Sequence, residues 1–465
     1  MRIAMALLGS LTLADAAVAL QLPVPDRASS VALRGVSIDS RTVPPGALFV
    51  AIAGPRLDGH DYVPEAAGRG AAAALVHREV ESTIPLLRVP DTTRALADLA
   101  RRVRESAAIP VAAITGSAGK TTTKEMTAGL LEARGPVLKT EGNLNNQYGL
   151  PLTLLRLAPE HRFAVLELGM SAAGELRALT AIARPDAAAI TLVAPVHLEF
   201  FPSLAAIADA KAEILEGLGE DGVAILNGDD EQLRRVGRAH RGRVVWFGHD
   251  RAFEVSAERW RGTVHGMRFD LRLGGGAVDV ALPFAGPHNL TNFLAAAAVA
   301  HHFGLSAEEI AVRAPSLRPA SHRGQVRRLR GGVTLLDDCY NSNPVAVEAA
   351  VTALTLSAPG RRVAFLGDML ELGPTGAQLH RDVGRRVAGK LDVLAAVGPL
   401  AASFLDGARE SEPRPSELVA LPDAAAAAAS IDLVRPGDAV LVKGSRGVRL
   451  EAVVDALVAR LGEDV

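Results

Sequence analysis

The sequence predicts an α/β protein with more than one domain, built on parallel sheets, and three observations carry that expectation. Continuous apolar runs, FAVLEL (163–168), AAAITLV (187–193) and VAIL (223–226), alternate with helical stretches, the pattern of strands buried on both faces of a parallel sheet. After Pro315 and Pro319 the alternation begins again with GVTLLDD (332–338), RVAFLGD (362–368), VLAAVG (393–398) and AVLVKG (439–444). Finally, a chain of 465 residues exceeds the roughly 250–300 residues at which single cores stop growing, so two or three domains are expected.

Taken in order, the start MRIAMALLGSLTLADAAVAL has Arg2 before an apolar run, as a signal peptide does, but Ser10, Thr12 and Asp15 interrupt it. Leu11, Leu13, Ala16, Ala17 and Leu20 recur at helical spacing, which favours an amphipathic helix. From about 30 to 108, short apolar runs such as Ala47–Ala53 and Ala71–Val76 between Gly, Pro and Asp turns read as a small α/β unit. DTTRALADLARRVRESA (91–107) is helical, with Asp91 as its cap. VAAIT (111–115) is a strand running into a Gly-rich turn, and the helix that follows sets Met126, Leu130 and Leu131 on one side. The Ala-rich DAAAAAAS (423–430) reads as a helix.

Composition excludes several classes. With 49% apolar and 22% charged residues and a net charge of -2, the chain reads as soluble and globular, and no basic excess points to nucleic acid. No stretch has the ~18 uncharged apolar residues of a membrane span. The single cysteine, Cys339, allows no internal disulfide, so a cytoplasmic location is the simplest expectation.

Strand, Gly-rich loop and helix together make ITGSAGKTTTKEM (114–126) a phosphate site. Its Gly116-Ser117-Ala118-Gly119-Lys120-Thr121 core is shorter than the usual loop, whose first position would be Ile114. Lys120 can neutralise β- and γ-phosphate oxygens, Thr121 can offer its hydroxyl to Mg²⁺, and the helix dipole adds to both. Glu167 ends a buried strand, where a carboxylate needs a cation or donors; it is either a Mg²⁺ ligand or a salt-bridged acid. His197, past the next strand, is a structural histidine more often than a ligand. Lys211, in LAAIADAKAEILEGL, has on spacing alone the reading of a solvated side chain. Asn289 and Asn292 open the helix in GPHNLTNFLAAAAVAHHFG (286–304) and suit a base edge, with Asn289 equally natural as a cap. SHRGQVRR (321–328), DDCYNSNP (337–344) and VKGSRG (442–447) supply charged loops able to close over a nucleotide.

These motifs, with DSR (39–41), FVAIAGPRLDGHDY (49–62), EGNLNNQYGLPLTLL (141–155), LELGMSAAGE (166–175) and LGDMLELG (366–373), resemble the Mur ligase family over nearly the whole chain. The resemblance implies three domains: residues 1–108 for a UDP-sugar, 109–314 as a central phosphate-loop ATPase-like domain, and 315–465 as a Rossmann-like domain. It implies ATP and two Mg²⁺ ions. Residues 116–121 with Thr122 would hold the phosphates; Thr121, Glu167 and His197 would be metal ligands; and Lys211, carbamylated, would carry a carboxylate to the second Mg²⁺. By the same likeness Asn289 and Asn292 lie on the adenine side, Arg323 meets the γ-phosphate and Asp338 the ribose. Asp39, Ser40, Arg41, Asp58 and His60 would serve the uridine nucleotide, and Asn143, Asn145 and Asn146 the peptidyl part. Lys443, Ser445 and Arg446 would face the cleft. SHRGQ stands where the family more often has a Gly-Arg pair.

The implied activity is ATP-dependent amide-bond formation between UDP-N-acetylmuramoyl-tripeptide and D-alanyl-D-alanine through an acyl phosphate, with Lys120, His197, Lys211 and Arg323 as catalytic residues. This belongs to cytoplasmic peptidoglycan precursor synthesis, and a monomer is expected. The rivals are a sister ligase adding one amino acid, a folylpolyglutamate synthetase, and a nucleotide-dependent switch. The NNQYG-PLT run and LGDMLELG loop weigh against the first, the DSR and DGH segments against the second, and the lack of an Asn-Lys-x-Asp run against the third.

Overall fold

In the computed structural model the described residues are 11–24, 30–195, 199–263, 265–356 and 360–464. They form an α/β protein with several parallel sheets. The chain divides into two compact units, one of residues 1–115, 134–188 and 212–223, the other of 116–133, 189–211 and 224–465.

In the first unit, Val36–Ser37, Leu48–Val50, Ala73–Val76 and Leu86–Arg88 pair in chain order, all parallel. Phe49, Ala74 and Val76 join Val63 and Ala66 in a buried cluster beneath this sheet. Val111–Thr115, Phe163–Glu167 and Val137–Lys139 lie side by side, also parallel, and the two longer strands are buried along their whole length, as their unbroken apolar composition requires. Asp91 caps the helix Thr92–Ser106 by accepting from the Arg94 N–H. Near the start, the helix is Leu13–Ala19. Thr12 and Asp15, which break the apolar run, are its reciprocal capping pair, so the interruptions mark a helix start. The earlier part of that segment lies outside the described residues.

In the second unit, six strands run in the order Gln325–Leu329, Val333–Asp337, Ala439–Lys443, Arg362–Gly367, Val393–Val397 and Glu417–Leu421. The first pair is antiparallel and the others parallel. Alternate residues serve opposite faces: Leu336, Ala364, Leu366, Leu394 and Leu441 join one core, and Leu335, Val363, Phe365, Val393 and Val440 another. A period of two with both faces apolar is what a sheet covered by helices on each side demands. The last strand in sequence inserts between the first two parallel ones, so strand order reverses there and the carboxyl ends of Val333–Asp337 and Ala439–Lys443 open side by side, the place where such sheets bind ligands.

Two departures from the sequence reading are findings. Val255–Thr263, Gly266–Leu273 and Gly276–Leu282 form an antiparallel ribbon that no apolar run announces, because its solvent face carries Glu258, Arg268, Arg272 and Asp279. And Gln325–Leu329, expected as part of a loop, is an edge strand whose polar alternation suits one exposed side.

Candidate nucleotide and metal site

The second unit holds the phosphate loop. Gly116 and Gly119 both have positive φ, 153° and 82°, which only glycine adopts without strain. Space agrees: a Cβ at Gly116 would collide with Thr191 Oγ1, and one at Gly119 with Asn292 Oδ1. Ser117 is fixed to Ala194 through the backbone N–H donating to its Oγ (2.9 Å) and the Oγ–H donating to the carbonyl (3.1 Å). Ala118 accepts from Thr191 Oγ1 at 2.5 Å. The helix Lys120–Leu131 begins directly after Gly119 with no side-chain cap, which leaves first-turn N–H groups for an anion. Lys120 Nζ donates to Gly116 O over 2.8 Å, spanning the loop. Thr121 and Thr122 are half-buried at the same helix start. Thr191 is a residue the sequence reading passed over; a hydroxyl at the end of an otherwise apolar strand was the available signal.

Asn292 reaches that loop, while its Nδ2 donates to Asn289 Oδ1 (3.2 Å) and Asn289 Nδ2 donates to Ala285 O (2.8 Å). Asn289 therefore does not cap its helix, which starts after Gly286 with Pro287 in the first turn. The alternative of a capping Asn289 is corrected by this geometry.

Lys211 also departs from its spacing-based reading. It is 2% exposed, because the helix Leu204–Ala212 buries Ile207, Ala208 and Ala210 as well, on more than one side. Burial, reinforced by the positive charge of Lys120, pushes the Lys211 amine well below its ordinary value, which favours the uncharged, nucleophilic form. His197 lies outside the described residues.

At the reversal of the six-stranded sheet, Lys443 Nζ donates to Asp338 Oδ2 (2.7 Å) and to the Asn341 carbonyl (3.0 Å). The Lys443 side chain is 3% exposed and that of Asp338 19%. Arg323 stacks on the Tyr340 ring at 4.1 Å, with Arg446 at 5.6 Å from the same ring. Tyr340 is a second residue the reading did not single out. Ser445, almost fully buried, accepts from the Leu370 N–H through its Oγ. It therefore shapes the loop, and its hydroxyl is turned inward. A Cβ on Gly324 would lie 3.9 Å from Asn289 Nδ2, so the loop carrying Arg323 meets the helix carrying Asn289 and Asn292.

In the first unit, Glu167 is 3% exposed. Its Oε1 accepts from Asn145 Nδ2 at 2.7 Å, and its buried Oε2 has no hydrogen-bond partner among the described residues. An orphaned buried carboxylate oxygen is costly, and a hard divalent cation with oxygen ligands satisfies it; the residues present fit that group. Asn146 Oδ1 accepts from the Tyr148 and Gly149 N–H groups just ahead of the helix Gly149–Leu154, whereas Asn143 is exposed.

Asp39 and Arg41 form a two-pronged pair at 2.9 and 2.7 Å. The Arg41 guanidinium lowers the Asp39 carboxyl. Ser40 Oγ–H donates to Glu65. Burial would raise Asp58, but the His60 N–H and ring and the Arg78 guanidinium hold it near about 2. His60 is fully buried with both ring nitrogens engaged: Nδ1 with Asp58 (2.6 Å) and Nε2 accepting from the His77 N–H (2.9 Å). Its geometry is that of a residue positioning Asp58.

A short Gly-rich loop at a helix start, reached by Asn292 and lying in the same unit as a Rossmann-like sheet, defines an α/β nucleotide-binding protein. Comparison with known proteins makes the class specific. The Mur ligase family catalytic domain matches residues 32–104, the Mur ligase middle domain 114–300, and the Mur ligase glutamate ligase domain 322–446. The UDP-N-acetylmuramoyl-tripeptide–D-alanyl-D-alanine ligase of Escherichia coli K12 is 39% identical over 432 residues, covering 92% of this chain and 94% of that one. MurF from Acinetobacter baumannii superposes with a TM-score of 0.89 at 33% identity, covering 97% and 99% of the two chains. MurF from Thermotoga maritima, solved in complex with ADP, gives 0.82 at 31%, covering 91% and 96%. The chain belongs to the Mur ligase family.

Proposed function

We propose that this chain is an ATP-dependent carbon–nitrogen ligase that joins D-alanyl-D-alanine to UDP-N-acetylmuramoyl-tripeptide in peptidoglycan precursor synthesis. The observation that carries the reading is end-to-end likeness, at 39% identity over 92% of the chain, to a protein named for that reaction. The phosphate loop supports it from the chemistry, and the ADP-bound relative supports ATP as the nucleotide.

The tripeptide's terminal carboxylate oxygen attacks the γ-phosphorus and the bond to the β-γ bridging oxygen breaks, giving an acyl phosphate and ADP. The dipeptide's free amine then adds to the acyl carbon. The tetrahedral intermediate expels inorganic phosphate, and the amine's proton passes to solvent. No protein nucleophile is required; the chain's task is to position two anions and offset their repulsion. The loop N–H groups of 116–119 and Lys120 hold the β- and γ-phosphates, and Thr122 supports the helix start. Arg323, stacked on Tyr340, swings to the transferring phosphoryl group. Asn289 and Asn292 line the adenine side, and Asp338, released from or shared with Lys443, takes the ribose.

Two Mg²⁺ ions would be held by Thr121, Glu167, His197 and Lys211. When bound, they would neutralise phosphate charge and polarise the γ-phosphoryl group. For Lys211, its uncharged amine would add to carbon dioxide with loss of a proton, and the resulting carbamate carboxylate would be the metal-holding group. Asp39, Ser40, Arg41, Asp58 and His60 serve the uridine nucleotide, directly or by positioning. Asn143, Asn145 and Asn146 serve the peptide, and Lys443, Ser445 and Arg446 shape the facing loops. We propose domain limits at 1–108, 109–314 and 315–465, in keeping with the three family segments. A cytoplasmic monomer fits this role, and among the described residues no helix is long and apolar enough to cross a membrane.

Phosphate release from ATP tests the reading. UDP-N-acetylmuramoyl-tripeptide with D-alanyl-D-alanine should stimulate it strongly, and single amino acids should not. Stimulation by one amino acid in place of the dipeptide would assign a sister activity.

A further inference from the structure

Among the described residues, one cluster of metal-ligating side chains is left unused by the nucleotide reading. His322 Nδ1, an Asp337 carboxylate oxygen and Cys339 Sγ all lie within 4.8 Å of one another. With Asp337 Oδ1 as the carboxylate donor, the separations are 3.2 Å from His322 Nδ1 to Oδ1, 3.2 Å from Oδ1 to Cys339 Sγ, and 3.6 Å from Sγ to His322 Nδ1. Zinc bonds of about 2.0–2.2 Å to nitrogen and oxygen and about 2.3 Å to sulfur give tetrahedral edges of roughly 3.3–3.6 Å. The three donors thus already outline one face of such a tetrahedron, each edge within a few tenths of an ångström.

Donor chemistry is selective too. One thiolate, one imidazole and one carboxylate suit zinc or cobalt, whereas Mg²⁺ takes oxygen ligands. Asp337 is fully buried and Cys339 nearly so, while the His322 side chain is 26% exposed, which leaves an approach on the histidine side and a fourth position for water. Arg327 lies 3.6 Å from Asp337 and also pairs with Glu463 at 3.3 Å. A divalent ion with one carboxylate and one thiolate is formally neutral, so the guanidinium can remain with Glu463.

We propose that His322, Asp337 and Cys339 form a binding site for a thiophilic divalent cation of the zinc class. Binding takes the thiol proton into solvent and replaces the triad's internal hydrogen bonds with three bonds to the metal. The ligands flank residues of the nucleotide reading: His322 precedes Arg323, and Asp338 stands between Asp337 and Cys339. Occupancy would therefore stiffen the loops that carry both. The metal site itself stands without the ligase reading.

The chain's single cysteine makes the test site-specific. Co²⁺ is titrated into the purified full-length protein in excess Mg²⁺, and absorption is followed. One equivalent should give a thiolate-to-cobalt charge-transfer band and ligand-field bands of tetrahedral intensity, both displaced by Zn²⁺. Cys339→Ser, nearly isosteric, should abolish the charge-transfer band. His322→Asn should weaken Zn²⁺ binding by at least the roughly tenfold that even outer-shell losses cost. Circular dichroism of the metal-free variants confirms folding. Absence of the charge-transfer band in the unaltered protein, or Zn²⁺ affinity unchanged in both folded variants, would overturn the proposal and leave an internal hydrogen-bonded triad.

Discussion

Asn145 Nδ2 donates to Glu167 Oε1 over 2.7 Å, while Glu167 Oε2, also buried, has no partner among the described residues. One oxygen is held in place and the other left for a ligand. The carboxylate is thereby aimed without being neutralised, an arrangement that serves a cation and costs the metal-free protein free energy.

Glu167→Gln separates these two effects. The amide keeps the shape but loses the charge, so the Mg²⁺ concentration for half-maximal activity should rise roughly 10–100-fold, the range for disturbed metal sites. The metal-free variant should melt no lower than the parent. A large fall in melting temperature with unchanged Mg²⁺ dependence would identify Glu167 as a structural acid.

Lys211 is buried and its amine pushed well below the usual value, first by desolvation and then by Lys120. The folded amine loses its proton at a lower pH than the unfolded chain's, whose ordinary value is 10.5. Unfolding therefore takes up a proton between those two values, and stability rises with pH through that window. In carbon-dioxide-free buffer Lys211→Met should melt higher than the parent, with the gap narrowing as pH rises. Lys211→Ala should lose activity, partly restored by a short carboxylic acid in solution. Full activity in that variant would remove the carbamate role.

Asp338 and Lys443 form a pair whose lysine is almost wholly enclosed. Asp338→Asn should raise the KM for ATP and, by leaving a buried ammonium without its anion, destabilise the fold by about 3 kcal/mol. Adding Lys443→Met should recover much of the stability and none of the ATP affinity. Denaturant unfolding and ATP titration of the two variants check this.

Gly119 has φ 82° and faces Asn292. Gly119→Ala should cost about 1–3 kcal/mol through left-handed backbone strain, and weaken ATP binding because the loop must move off Asn292. A variant with parental ATP affinity would show that the loop does not need this approach.

Much of this arrangement was legible in the sequence, for local reasons. VAAIT, the glycine turn and the helix after it are specified by neighbours in the chain, and the observed Val111–Thr115 and Lys120–Leu131 fall where the pattern put them. Asp91 as a cap is equally local. Lys211 was not legible from spacing: periodicity locates a side chain on a helix face, but whether a neighbour covers that face is decided by distant residues. Family resemblance singled Lys211 out where spacing did not, and its role as a metal-holding residue is a proposal. The pairing of Asp338 with Lys443 depends on strands far apart in sequence becoming neighbours, and His60 turned inward to Asp58 and His77 where a motif suggests contact with substrate. The ribbon at 255–282 escaped because charged residues on its solvent side interrupt any apolar run.

The most direct test of the central claim follows one oxygen atom. UDP-N-acetylmuramoyl-tripeptide labelled with ¹⁸O in its terminal carboxylate is incubated with the protein, ATP, Mg²⁺ and D-alanyl-D-alanine, and the released phosphate is analysed by mass spectrometry. An acyl phosphate requires a carboxylate oxygen to leave with the phosphorus, so one ¹⁸O per amide bond formed should appear in inorganic phosphate, with ADP as the other product. Phosphate free of label, or label appearing in AMP, would contradict the account.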